Sequence, residues 1–349
     1  MTRISVGILG ATGTVGQRFI QLLEDHPWFE VTAVAASERS AGQRYEEACH
    51  WLLPTPMPEA VRDLVVGPIE PGLDCRLVFS SLPSGVAGPA EERFARAGYA
   101  VCTNASAHRA DPDVPLLIPE VNAGHTALIE VQRRGRGWSG LIVASANCAS
   151  IPLTLACKPL HDAFGLRALS VTTMQAVSGA GYPGVPSLDI LGNVVPYIRG
   201  EEDKVEAEPL KMLGTLQEGR IYDVPGTISA QCNRVAVRDG HMGCVSAAFE
   251  RAPEVEAVVA ALEAFRAPPE VAALPSSPAR PIVVRPEPDR PQPILDRDAG
   301  NGNSITVGRV RPCPLFDVKF VFLGHNTLRG AAGGAIHNAE LLVAQGWIA

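Results

Sequence analysis

The stretch from Ile4 to Ala36 constrains the fold more than any other. Ile4 to Leu9 is a short apolar run suited to a strand buried on both faces, and it leads straight into Gly10-Ala-Thr-Gly13-Thr-Val-Gly16. After the first glycines, Val15, Phe19, Leu22 and Leu23 recur at helical spacing, and Phe29 to Ala36 is a second apolar run. Strand, glycine turn, helix, strand is a βαβ unit, which opens a parallel sheet. Three glycines at this spacing allow a tight turn, a close approach of backbone to a pyrophosphate, and close packing of helix on strand. The first N–H groups of the helix are then free to bind an anion. Gly10, Thr12, Gly13, Thr14 and Val15 are therefore candidate dinucleotide contacts. The pattern is G-x-x-G-x-x-G and not G-x-G-x-x-G, so its place between the first strand and first helix carries the inference. The second strand ends in Ser37-Glu38-Arg39-Ser40. An arginine flanked by hydroxyls, Ser37, Arg39 and Ser40, suits the 2′-phosphate of NADP, whereas Glu38 would suit the ribose of NAD; NADP is the expectation.

The alternation continues. Leu77 to Ser81, Tyr99 to Cys102 and Leu141 to Ala144 have strand character, Ala87 to Ala97 has helical composition, and Ile151 to Leu160 is expected to be a helix ending near Lys158-Pro159. Beyond about residue 150 the texture changes. Leu169 to Val177 alternates and is rich in Val and Thr; Arg234 to Val237 and Gly243 to Phe249 are expected strands, and Glu254 to Phe265 a helix. Pro268 to Pro293 is expected to be a packed extended connection, and Gly330 to Gln345 a helix of small residues. With 349 residues, two domains are the default. The expected fold is α/β: a Rossmann-like NADP-binding domain, residues 1–147 joined by 330–349, and an α+β domain, 148–329, with a mixed sheet covered by helices on one side.

Bulk properties exclude several classes. Net charge is -7 without a dense basic run, and aromatic residues make up 5%, so a nucleic-acid partner is not expected. No apolar stretch reaches membrane-spanning length, and the N-terminal run is broken at once by glycines, so a soluble, cytoplasmic protein without a membrane partner is expected. The eight cysteines form no C-x-x-C pair, which argues against a disulfide scaffold and against a zinc cluster; no metal is expected.

One cysteine stands apart. Ala146-Asn147-Cys148-Ala149-Ser150 lies where a strand meets a helix. A thiol there feels the positive end of the helix dipole, which stabilises thiolate. Position alone leaves a buried structural cysteine equally open. A partner for it is His241, in Arg238-Asp-Gly-His241 at an expected strand–strand turn, with Arg234 seven residues earlier on the strand leading in. A histidine can relay a proton, and an arginine can clamp a carboxylate bidentately. With eight histidines in the chain, His241 alone would more often be a surface turn residue.

Longer stretches narrow the field. Ser178-Gly-Ala-Gly-Tyr-Pro-Gly-Val-Pro-Ser187 with the following Leu188 to Tyr197, Glu201-Glu-Asp-Lys-Val-Glu-Ala-Glu208-Pro-Leu-Lys211, Ile228-Ser-Ala-Gln-Cys-Asn-Arg234, Asn104-Ala-Ser-Ala-His-Arg109 and His325-Asn-Thr-Leu-Arg-Gly-Ala-Ala-Gly333 resemble the signatures of aspartate-semialdehyde dehydrogenases, nearly end to end and best in their archaeal and fungal branch. The resemblance implies an NADP-dependent enzyme that reductively dephosphorylates aspartyl 4-phosphate to aspartate 4-semialdehyde, and the reverse, through a thioester on Cys148. His241 would be the acid/base, and Gln175 would orient the bound intermediate. Arg234 and Glu208 would hold the substrate's carboxylate and amino groups. Lys211, Arg109 and Asn104 would bind phosphate. Asn326 and the Ser178-Gly179 loop would lie near the nicotinamide. The 148–329 unit would be the catalytic and dimerisation domain of a homodimer or homotetramer. Residue by residue, plainer readings exist: Glu208 and Lys211, at i and i+3, would make an ordinary surface ion pair.

Two residues depart from the family pattern. Ala146 stands where proline is usual, and Ala149 where serine is usual; both flank the nucleophile and could alter backbone N–H groups around an oxyanion. They leave room for a related enzyme such as a malonyl-CoA reductase. A non-catalytic nucleotide-binding subunit is disfavoured by the intact set Cys148, His241, Arg234, Glu208 and Lys211.

Overall fold

The computed structural model describes residues 3–348; Met1, Thr2 and Ala349, inside the expected domain limits, lie outside it. The first sheet holds β1 (Ile4–Leu9), β2 (Phe29–Ala35), β3 (Leu77–Ser80), β4 (Ala100–Thr103), β5 (Leu116–Leu117) and β6 (Leu141–Ser145), in the order β2-β1-β3-β4-β6-β5. Every pairing in it is parallel. Parallel strands need crossovers, which here are helices such as α1 (Thr14–Leu23), α2 (Ser84–Arg96) and α3 (Leu128–Arg136). Covered on both faces, β3, β4 and β6 are buried at every position, which is why they are unbroken apolar runs.

From β6 the chain passes through Ala146–Ala149 into α4 (Ser150–Phe164) and the second sheet. That sheet comprises β7 (Leu166–Gln175), then, after the small hairpin β8 (Thr215–Gln217) and β9 (Arg220–Tyr222), β10 (Thr227–Arg234), β11 (His241–Phe249), β12 (Ile282–Arg285), β13 (Ile305–Pro312) and β14 (Val318–Gly324). The order is β10-β7-β11-β14-β13-β12, and it is mixed: β10 with β7 and β12 with β13 are parallel, the rest antiparallel. Helices α4, α5 (Glu201–Leu213) and α6 (Val255–Ala264) pack on it, and α7 (Gly333–Ala344) returns to pack on β4 and β6 of the first sheet.

Several expectations are corrected. Helix α4 runs through Pro159 instead of ending there. A proline inside a helix forfeits one backbone hydrogen bond, but ten residues of α4 are buried, and that packing outweighs the loss. The expected strand Arg234–Val237 is displaced: β10 ends at Arg234, and alternate residues from Ile228 onward are buried against α5. Nor does His241 sit in a turn between paired strands. β10 and β11 flank β7 on opposite sides, and His241 is the first residue of β11, with no exposed surface. The proline-rich segment 268–293 contributes an edge strand, β12, where few ladder bonds are needed. Among the described residues no helix is long and apolar enough to cross a membrane, and no group of three or more His, Cys, Asp or Glu is placed to hold a metal ion.

Candidate active site

A cleft of about 870 Å³ opens where the carboxyl ends of the first sheet's strands meet the carboxyl end of β7. Thr12, Gly13, Thr14 and Val15 form one wall. The glycine turn is needed there: Gly10 has φ +81°, and a Cβ on Gly16 would lie 2.3 Å from the Gly10 carbonyl oxygen, so any larger residue would push α1 off the turn. Helix α1 starts at Thr14 with no side-chain cap, leaving its first N–H groups free to take an anion. The turn is pinned to β2 by Gly10 and Ala11 N–H donating to the Ala35 carbonyl at 2.8 and 3.1 Å. Ser37, Arg39 and Ser40 follow immediately, Ser37 and Arg39 exposed and Ser40 half-buried, outside the cleft lining but beyond its β2 side. This backbone fits a dinucleotide's pyrophosphate.

At the cleft floor Cys148 Sγ lies 3.2 Å from His241 Nε2. The short segment Ala146–Ala149 is held from both sides by α5. Asn147 N–H donates to Glu208 Oε2 at 2.6 Å, and Asn147 Nδ2 to Glu201 Oε1 at 2.8 Å. Asn147 Oδ1 accepts from Ala149 and Ser150 N–H at 2.8 and 3.2 Å, so the start of α4 is already satisfied. That changes the expected activation of the thiol. Burial pushes Cys148 up to about 12, Glu201 adds to the rise, and Arg109, Arg234 and Lys204 pull against it. Burial thus works against the thiolate that a helix start would favour. The side chain still opens on the cleft, within reach of a substrate.

The expected substrate residues separate into two groups. Arg234, Arg109 and Asn104 line the cleft. Arg234 Nη1 donates to the Ala176 carbonyl at 2.8 Å, and Arg109 Nη2 to the Asn104 carbonyl at 2.8 Å. Asn104 Nδ2 is buried without a protein partner. Glu208 and Lys211 lie elsewhere. Glu208 is buried between Asn147 N–H and Arg109 Nη1, the latter at 3.0 Å. Lys211 Nζ donates to the carbonyls of Arg109, Asp111 and Val114 at 2.8, 2.9 and 3.4 Å, beside a smaller cavity that adjoins the cleft and shares Ser106, Arg109 and Lys204 with it. The plain i, i+3 ion pair is not formed either, since each has other partners. In their place Glu201 and Lys204, paired at 3.3 Å, line the cleft beside Cys148.

The sequence held the signal, since Glu-x-x-Lys occurs twice in α5, seven residues apart. Seven residues is close to two turns, about 10 Å along the axis, so both pairs share a face and only the helix's placement selects one. Gln175, at the end of β7, is buried with its amide donating to Thr173 Oγ1 at 3.3 Å, and it does not line the cleft. Ser178, Gly179 and Asn326 do line it; Asn326 Nδ2 donates to Ser178 Oγ and its Oδ1 accepts from Gly240 N–H, both at 2.8 Å. Gly330 was not singled out in the sequence. A Cβ there would stand 2.9 Å from Cys148 Cβ, so glycine is what lets the turn after β14 close on Cys148. Ala146 and Ala149 are buried and do not line the cleft.

Residues 5–129 match the model of the semialdehyde dehydrogenase NAD binding domain, and residues 157–329 that of the semialdehyde dehydrogenase dimerisation domain. The chain is 54% identical to an aspartate-semialdehyde dehydrogenase of Archaeoglobus fulgidus over 98% of both chains. It is 48% identical to that of Cryptococcus neoformans over 99% of this chain and 98% of the relative. Among solved structures, the Candida albicans aspartate semialdehyde dehydrogenase with NADP superposes with a TM-score of 0.92 at 44% identity, covering 99% of this chain and all of that one.

Proposed function

This chain belongs to the aspartate-semialdehyde dehydrogenase family, and from that premise we propose that Cys148 forms the thioester through which aspartyl 4-phosphate and aspartate 4-semialdehyde are interconverted. The protein is an NADP-dependent oxidoreductase. The observation that carries the site assignment is the 3.2 Å contact of Cys148 with His241 on the floor of a cleft walled by Arg109, Lys204 and Arg234. A substrate bearing a carboxylate and a dianionic phosphate needs such a cationic wall.

In the biosynthetic direction Cys148 Sγ attacks the acyl carbon and phosphate departs. NADP, when bound, supplies the hydride in its reduced form and takes it up in its oxidised form. Arg234 holds the substrate carboxylate, and Glu201, in place of Glu208, takes its ammonium group. Lys204, in place of Lys211, joins Arg109 and Asn104 around the phosphate. Ser178, Gly179 and Asn326 border the nicotinamide side, Thr12 to Val15 the pyrophosphate, and Ser37, Arg39 and Ser40 the 2′-phosphate. Gln175 reaches the intermediate by releasing Thr173. Residues 1–147 with 330–349 serve the cofactor, and 148–329 the substrate. The chain carries a dimerisation domain, and exposed Leu188, Leu191, Val194 and Tyr197 support a homodimer or homotetramer.

The test is NADP reduction with aspartate semialdehyde. Turnover should require phosphate and fall by at least about 10⁴-fold in Cys148→Ala. Turnover that needs coenzyme A in place of phosphate, or that survives in the variant, would overturn the assignment.

A further inference from the structure

Helix α2 packs on β4 and β6 and buries Ala87, Ala90, Glu91, Phe94 and Ala95. Glu91 is out of place on that face. It has no exposed surface, and burial pushes its carboxyl up against the pull of Ser80, Thr103 and His108. A buried carboxyl group is costly unless its oxygens are hydrogen-bonded. Ser80 Oγ and Thr103 Oγ1 both donate to Glu91 Oε1, each at 2.6 Å. Ser80 ends β3, Thr103 ends β4, and the two are paired in the sheet. One oxygen from the helix thus ties together the carboxyl ends of two neighbouring strands, at the edge of the cleft.

The next residue is Asn104, which lines the cleft. Its backbone is held on every side. Its N–H donates to the Ser80 carbonyl at 2.9 Å, and its carbonyl accepts from Arg109 Nη2 at 2.8 Å. Just beyond it, Ala105 N–H donates to Thr103 Oγ1 at 2.9 Å. The side chain is the exception: Nδ2 is buried and has no hydrogen-bond partner among the described residues. A rigid backbone carrying one buried, unused donor is the arrangement of a residue kept ready for a ligand. We propose that Glu91 is a positioning residue for phosphate, fixing the end of β4 through the Ser80 and Thr103 hydroxyls and so aiming the Asn104 amide at the anion. The inference rests on the reading of Asn104 as a phosphate ligand.

The route from Glu91 to Asn104 runs through hydrogen-bond direction. Thr103 Oγ1 accepts from Ala105 N–H, so its own proton must go elsewhere, and Glu91 Oε1 takes it. Ser80 and Thr103 have no exposed surface, so neither hydroxyl can turn to water if that acceptor is lost. The Thr103 hydroxyl must then rotate and release Ala105 N–H, which frees the backbone beside Asn104. The other carboxyl oxygen takes no part. Glu91 Oε2 has no hydrogen-bond partner among the described residues, and it stands 3.7 Å from His108 Nε2, which has none either. Glu91 therefore acts as an acceptor and not through its charge. A glutamine carbonyl, with two lone pairs, can take both hydroxyls.

The experiment is NADP reduction with aspartate semialdehyde at varied phosphate, on Asn104→Ala, Glu91→Leu, Glu91→Gln and the Asn104→Ala/Glu91→Leu double variant. Asn104→Ala should raise the phosphate KM by about ten-fold, the worth of one lost contact to an anion. Glu91→Leu, similar in size but without an acceptor, should raise it by about five- to ten-fold, with kcat at saturating phosphate and the NADP KM within about two-fold of the parent. Added to Asn104→Ala, it should change the phosphate KM by less than about two-fold, because a misplaced amide cannot be lost twice. Glu91→Gln should stay within about two-fold of the parent. Additive losses in the double variant, a Glu91→Gln as impaired as Glu91→Leu, or a loss shared equally by all substrates overturns the proposal. A phosphate KM unmoved by Asn104→Ala instead overturns the reading of Asn104 on which the proposal rests, so the two failures are told apart. Should Glu91→Leu not fold, Ser80→Ala and Thr103→Val each remove one of the hydroxyls. A phosphate-specific rise in KM is expected of both, and its absence from both overturns the proposal.

Discussion

At the scale of single residues, the two Glu-x-x-Lys pairs of α5 separate chemistry from architecture. Lys204 opens on the cleft, whereas Lys211 fills its donor capacity with three carbonyls. Lys204→Met should raise KM for phosphate by about ten-fold, the worth of one charge-assisted contact, with little change in melting temperature. Lys211→Met should do the reverse: phosphate KM nearly unchanged and stability lower by about 1–3 kcal/mol, because its carbonyl partners stay buried and unpaired. Steady-state kinetics and thermal melts on the two variants check both halves. Glu208 acts in the same structural sense as Lys211, joining Arg109 to the backbone just before the nucleophile. The residue types were legible in the sequence. Which copy of a repeated pair meets the cleft was not, because helical periodicity puts both on one face.

At the scale of elements, the site depends on backbone segments brought closer than side chains would permit. The turn between β14 and α7 presses Gly330 onto Cys148. Gly330→Ala would place a methyl 2.9 Å from Cys148 Cβ and 3.1 Å from its Cα and carbonyl oxygen, so the turn or the nucleophile must move. The expected outcome is a fall in kcat of about 10²-fold from misplacement alone, with NADP affinity changed far less. Turnover and fluorescence titration of NADPH together check it. Behind this turn, Arg329, almost wholly buried, is ion-paired to Glu120 of the first domain at 2.5 Å, fixing the turn against the sheet that carries the cofactor loop. The glycine motif at β1–α1 and the alternating strands could be read directly, since they follow from local periodicity. The course of α4 through Pro159 and the position of β10 could not, because tertiary burial overrides a local breaker and sets strand register.

At the scale of the whole molecule, acid sensitivity follows from the buried histidines. His241 is held down to about 3, and His125 and His325 to about 4, in each case first by burial. Below the unfolded value of ~6.5 the unfolded chain binds protons that the folded chain refuses, so stability rises with pH across the window from about 4 to 6.5 and is lost as pH falls through it. At pH 5 each group would forfeit about 2 kcal/mol relative to pH 7. Melting temperature should therefore drop between pH 7 and 5, and His125→Gln, remote from the cleft, should show a smaller drop; an equal drop would remove His125 from the account. The sequence by itself determined the βαβ opening and the glycine turn, because these are written in local spacing and residue type, and its long signature stretches pointed to the family and, through it, to Cys148 and His241. Tertiary structure alone decided the contact of Cys148 with His241, the burial that pushes the Cys148 thiol up, and which of the two Glu-x-x-Lys pairs lines the cleft. Desolvation, hydrogen-bond direction and distance exist only once β7, β11, α4 and α5 have converged on one cleft.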